Sequence, residues 1–147
     1  MTVFTIGFTQ KNAEKFFSLI KTNQIDLLLD VRLNNKSQLA GFTKGEDLRF
    51  FLSEICHCEY KHCLEFAPTK EMLDSYKKNL ITWDDYVAQY TALMTKRAKH
   101  LDFSERFSKY ANICLLCSEP TPEHCHRGLL AELIVGASVQ QIPIRHL

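Results

Sequence analysis

Hydrophobic positions along the chain change period repeatedly, and the changes mark out alternating strands and helices. Residues 3–8, Val-Phe-Thr-Ile-Gly-Phe, form an apolar run of strand length. Behind Asn12, a good N-cap, Phe16, Phe17 and Ile20 recur at helical spacing and predict a helix over 13–21. The run Ile25-Asp26-Leu27-Leu28-Leu29-Asp30-Val31 is nearly continuous, as expected of a strand covered on both faces. Leu48, Phe51, Leu52 and Ile55 predict a helix over about 46–55, and 59–62 reads as a short third strand. Helices are expected over 69–78, over 83–96 behind the N-cap Thr82, and over 103–110. A strand at 113–116, a helix ending near 135 and a last strand at 141–145 complete the series. Strands alternating with helices predict a single three-layer α/β domain, residues 1–147. Its sheet is mainly parallel with about five strands, and helices cover both faces.

In such sheets ligands gather beyond the carboxyl ends of the strands. The second strand ends in Asp30-Val31-Arg32, so alternation puts Asp30 and Arg32 on one side. The 113–116 strand runs into Cys117-Ser118-Glu119.

Composition narrows the class without changing this picture. A net charge of +1 exerts no overall pull toward nucleic acid or membranes, and the basic run at 96–100 reads as a solvated helix end. The N-terminal Met1-Thr2-Val3-Phe4-Thr5 has neither the basic nor the long apolar region of a signal peptide, so a soluble, cytoplasmic protein is expected. The six cysteines then read as reduced thiols rather than a disulfide framework. Cys114 inside a strand reads as a small core residue, and packing is the simpler reading of Cys56, Cys58 and Cys63.

The segment Cys-Ser-Glu-Pro-Thr-Pro-Glu-His-Cys-His-Arg-Gly at 117–128 concentrates reactive side chains. Thr121-Pro122 reads as an N-cap followed by proline at the first helical position. Cys125, His126 and Arg127 then fall in or just after the first helical turn, where unpaired N–H groups and the dipole favour an anion or a thiolate. The spacing from Cys117 to Arg127 is too long for a phosphatase loop, and the prolines and glutamates would spoil a rhodanese-like cradle. A zinc site could draw on Cys117, Cys125 and Glu119, His124 or His126, with the cluster Cys56-His57-Cys58, His62 and Cys63 as an addition. The apolar core is large enough to fold without a metal, and none is expected.

With these residues in hand, the chain resembles the family catalogued as domain of unknown function 488. The resemblance is carried by Thr5-Ile6-Gly7, Leu28-Leu29-Asp30-Val31-Arg32, Ser37, Tyr60 and His62, and Leu115-Leu116-Cys117-Ser118-Glu119 followed by Cys125-His126-Arg127. It implies a compact α/β fold and a bacterial or archaeal origin, and it brings no settled activity. This chain departs from the family pattern at Phe8, where histidine is common, at Asn35 before Lys36-Ser37, and at Leu64-Glu65-Phe66-Ala67-Pro68.

The expectation is therefore a crevice formed by Asp30, Arg32, Cys117, Glu119, Cys125, His126 and Arg127. Cys125 or Cys117 would be the nucleophile and Glu119 or His126 the proton carrier. Arg32 and Arg127 would clamp an anionic group, with Ser37 and Tyr60 as further substrate contacts. The expected partner is a small anionic ligand or nucleotide, or a nucleic acid, with no cofactor and no membrane. The rival is a non-catalytic anion or nucleic-acid binding module in which the cysteines only pack.

Overall fold

A computed structural model describes residues 1–36 and 40–147, so Ser37 lies outside the described residues. Five strands, β1 (Thr2–Gly7), β2 (Leu27–Asp30), β3 (Glu59–His62), β4 (Asn112–Cys117) and β5 (Ile144–His146), form one sheet in the order β3-β2-β4-β1-β5. Every pairing is parallel. The helices are α1 (Ala13–Thr22), α2 (Gly45–Phe51), α3 (Lys70–Lys77), α4 (Trp83–Arg97), α5 (Phe103–Arg106) and α6 (His126–Ala137). Among the described residues, no helix is long and apolar enough to cross a membrane.

The alternation of each strand divides the core in two. Phe4 and Ile6 of β1, Leu28 of β2, and Cys114 and Leu116 of β4 meet Phe16, Phe17 and Ile20 of α1 and Leu48 of α2. Val3, Leu27, Leu29, Ile113 and Leu115 point the other way, against Met72 of α3, Tyr86, Tyr90 and Met94 of α4, Phe103 of α5, and Leu130, Ala131 and Ile134 of α6. Each fully buried leucine contributes roughly 2 kcal/mol, and the neighbouring strands β2 and β4 both supply leucines to the two layers.

The caps behave as their sequences require. Asn12 accepts from the Lys15 N–H, Thr69 from Met72, and Thr82 and Asp85 form a reciprocal capping box. Four boundaries differ from expectation. The 46–55 helix is α-helical only to Phe51 and then widens into a π-turn over Leu52–Cys56, closed by left-handed His57. The helix expected over 103–110 is the short α5, and the last strand begins at Ile144. The Thr121-Pro122 pair does not open α6: the Pro122 carbonyl accepts from the Cys125 N–H at 3.2 Å, closing a separate turn, and the helix starts only at His126.

The core thiols make alkaline stability a test of this packing. Burial pushes the Cys58 and Cys63 thiols up to about 12, and Cys114 well above its ordinary value. An unfolded thiol titrates near about 8.5, so above that pH the unfolded chain releases protons that the folded one retains. The stability these thiols contribute is fully present below about pH 8 and is lost progressively between about pH 8.5 and 12. Urea unfolding is therefore expected to give a lower free energy at pH 10 than at pH 8, and a flat profile would contradict the burial described.

Candidate functional site

The register aligns the carboxyl ends of four strands. Gly7 pairs with Cys117, and Asp30 pairs with both Leu116 and His62. Because Asp30 is level with Leu116, the next residue of β4, Cys117, turns to the opposite face. The expected site residues consequently gather in two groups at one edge of the sheet.

The first group is closed on itself. The Asp30 carboxylate accepts from Arg32 Nε at 2.8 Å, from Arg32 Nη2 at 2.6 Å and from the Tyr60 hydroxyl at 2.7 Å. Arg32 Nη2 also donates to the Thr43 carbonyl at 2.7 Å, and Phe8 lies under the guanidinium. The Asn35 side chain donates to the Tyr60 hydroxyl, and His62 Nε2 meets the Arg32 carbonyl at 2.7 Å. Asp30 is wholly buried and Arg32 nearly so, and both have their polar groups engaged. This assembly joins the ends of β2 and β3 to the 41–43 turn.

The second group is built by β4, the segment 118–125 and the first turn of α6. Cys117, Cys125, His126 and Arg127 are all buried, while the Glu119 side chain is exposed. Arg127 Nη1 donates to the Glu119 carbonyl at 2.7 Å and to Cys125 Sγ at 3.4 Å. Arg127 is 0% exposed, yet its Nε and Nη2 have no hydrogen-bond partner among the described residues. Cys125 is the N-cap of α6, which places its sulfur at the positive end of the helix. The segment is held from the β1 side, where the Thr9 hydroxyl and N–H both donate to the Ser118 carbonyl, at 2.6 and 3.1 Å.

The two sulfurs share their protons unequally. The Cys125 thiol hydrogen-bonds to Cys117 and holds the Cys117 thiol below its ordinary value; the Ser118 N–H and Arg127 help, while burial and Asp30 oppose. The same hydrogen bond pushes the Cys125 thiol far up, reinforced by burial and by the charge on Cys117. Of the two thiols, Cys117 is the one whose deprotonation is eased. Burial, with Arg127 and Lys15, lowers Lys11 in the loop after β1.

Cys117, Cys125 and His126 have ligand atoms within 4.8 Å of one another, close enough for a metal ion. The details disfavour a cation. A carbonyl partner requires a ring N–H, so His126 Nε2 donates to Val31 O, at 2.8 Å. Cys117 Sγ then sits 3.6 Å from Nδ1 and 3.7 Å from Nε2, nearly equidistant and thus off the in-plane lone pair that a metal would take. The guanidinium against Cys125 adds repulsion.

An aromatic wall flanks the thiols. Trp83 stacks on Tyr86 at 5.1 Å, Tyr86 on Tyr90 at 6.3 Å, and Tyr90 meets the His126 ring at 5.6 Å. His124, left-handed at φ 57°, lies 5.1 Å from the Trp83 ring. The stripe on α4 was visible as helical spacing. Lys11 and Thr9 were not, since only the rule that the loop after a parallel strand borders the ligand edge could have found them.

An all-parallel α/β protein with a cation-flanked dithiol at the carboxyl edge of its sheet is the class that fold and site define. The family model described as Domain of unknown function DUF488 matches residues 12–134, and the chain belongs to that family. No curated protein and no solved structure matches the chain.

Proposed function

We propose that this chain is a cytoplasmic, thiol-dependent enzyme acting on a phosphate-containing substrate of the nucleotide class. Arg127 carries the reading. A buried guanidinium without a countercharge costs several kcal/mol, and among the described residues no carboxylate pairs with Arg127. Its free Nε and Nη2 form one edge of the guanidinium, the edge that meets two oxygens of a phosphate or carboxylate. Lys11 adds positive charge nearby.

Cys117 is then the nucleophile, with Cys125 steadying its thiolate by hydrogen bonding. Glu119, on the exposed segment, is the proton carrier with room to reach a leaving group, since His126 is tied to Val31 O. Trp83, half-buried beside His124, offers a ring on which a base can stack. Asp30, Arg32 and Tyr60 hold the strand ends. Access requires the 118–124 segment to swing away, the kind of loop motion that gates many enzymes.

Two measurements test this. Inorganic phosphate and nucleoside monophosphates are expected to raise the thermal midpoint of the wild type and not that of Arg127→Met; saturation at one hundred times Kd adds about 2.7 kcal/mol. Alkylation from pH 5 to 9 is expected to label Cys117 near neutrality, ahead of the other cysteines. A midpoint shift without selective labelling favours the binding module, for which the burial of both sulfurs speaks. Absence of both effects ends the phosphate reading.

A further inference from the structure

We infer that Cys117 and Cys125 are a redox pair that closes to an intramolecular disulfide at the expense of a small hydroperoxide. The inference rests on the two sulfurs and their surroundings and not on the phosphate reading.

Both sulfurs lie within 4.8 Å of each other, and no ordered strand or helix separates them. Cys117 is fixed at the end of β4, whereas Cys125 follows a run of bends and turns from Ser118 to His124 and has extended backbone, φ −133°, ψ 137°. Such a segment can yield by the movement, at most about 3 Å, that brings the sulfurs to a bond of about 2.0 Å. The remaining cysteines are placed differently. Cys114 faces the opposite layer with Cys58, Cys63 packs among the α3–α5 contacts, and Cys56 lies half-buried near the π-turn.

The chemistry follows from the arrangement. The Cys117 thiolate, which the Cys125 thiol and Arg127 stabilise, attacks the terminal oxygen of the hydroperoxide. The O–O bond breaks, an alcohol leaves after taking a proton from solvent, and Cys117 becomes a sulfenic acid. Cys125 sulfur then attacks the Cys117 sulfur. The S–O bond breaks, and the departing hydroxyl takes the Cys125 proton to become water. Two thiols and one hydroperoxide give one disulfide, one alcohol and one water. Burial of both sulfurs admits a peroxide more readily than a bulky thiol, and Cys125, within 4.8 Å, intercepts the sulfenic acid before a second oxidation.

Reduced protein is treated with one equivalent of hydrogen peroxide and no phosphate compound. It is then unfolded, alkylated and mapped by peptide mass. The expected result is loss of two of the six alkylatable thiols, one linked peptide joining Cys117 to Cys125, and full recovery with dithiothreitol. In Cys125→Ser, dimedone is expected to trap the sulfenic acid on Cys117. Retention of all six thiols, a Cys56–Cys58 linkage in place of the expected one, or Cys117 recovered only as sulfinic acid would overturn the inference. If Cys125→Ser does not fold, the wild-type map decides alone. A disulfide without any phosphate-induced midpoint shift removes only the phosphate reading, and the reverse pattern removes only this one.

Discussion

Asp30→Ala is expected to lower unfolding free energy by about 3–5 kcal/mol, the range for removing one partner of a buried ion pair. The carboxylate is wholly buried and accepts from two guanidinium nitrogens and a phenol. Its loss leaves the Arg32 charge with only the Thr43 oxygens, in a place water does not reach, and strips Tyr60 of its acceptor. The double variant Asp30→Leu/Arg32→Met is expected to recover much of that loss, because it leaves no charge to desolvate. Urea unfolding of the three proteins is the measurement. A single-variant loss below about 1 kcal/mol would mean that the pair is exposed to water.

Gly7→Ala is expected to cost about 3 kcal/mol and to open the thiol site as well. A Cβ on Gly7 would stand 1.5 Å from the Glu119 carbonyl oxygen and 2.6 Å from its carbon, so backbone rather than a flexible side chain must yield. That same carbonyl is the acceptor for Arg127. Displacing it frees Arg127 and the 118–124 segment together, so alkylation of Cys117 and Cys125 should accelerate; each 1.4 kcal/mol of loosening gives about tenfold. Gly136→Ala is the control. Its Cβ would meet nothing within 4 Å, and in exposed α6 backbone the change should stabilise by about 0.5–1 kcal/mol. Equal stabilities for the two alanine variants would contradict the close approach of β1 to Glu119.

The strands were legible because each carries its own pattern: the 25–31 run announced burial on both faces, and Asp30 and Arg32 showed their common side by alternation. What alternation cannot supply is register between strands distant in sequence. Asp30 pairs with Leu116, and a slip of one residue would have put it beside Cys117 on the same face, making the single expected crevice. The register instead pairs Asp30 with Arg32 and Tyr60, and leaves the thiols with Arg127. The start of α6 was hidden for a local reason. Thr121-Pro122 has the chemistry of a helix start, but the following turn, with His124 at positive φ, uses the Pro122 carbonyl first. The unpaired edge of Arg127 had no signature at all, since an arginine directly after Cys125-His126 looks the same whether or not an acid waits for it.

The sheet order also governs how this chain must assemble. β1 has as neighbours only β4 and β5, whose pairing begins at Asn112 and Ile144, while β2 must await β3 and β4. Every ladder closes a long loop, so the entropy of closure falls due before the contacts that offset it, and folding of such a topology is slow. During synthesis, β1 emerges with both edges bare and stays so until most of the polypeptide has followed. Over that interval Val3, Phe4 and Ile6 are an open template for another nascent strand, so the hazard of mispairing lies in the order of synthesis rather than in the finished core.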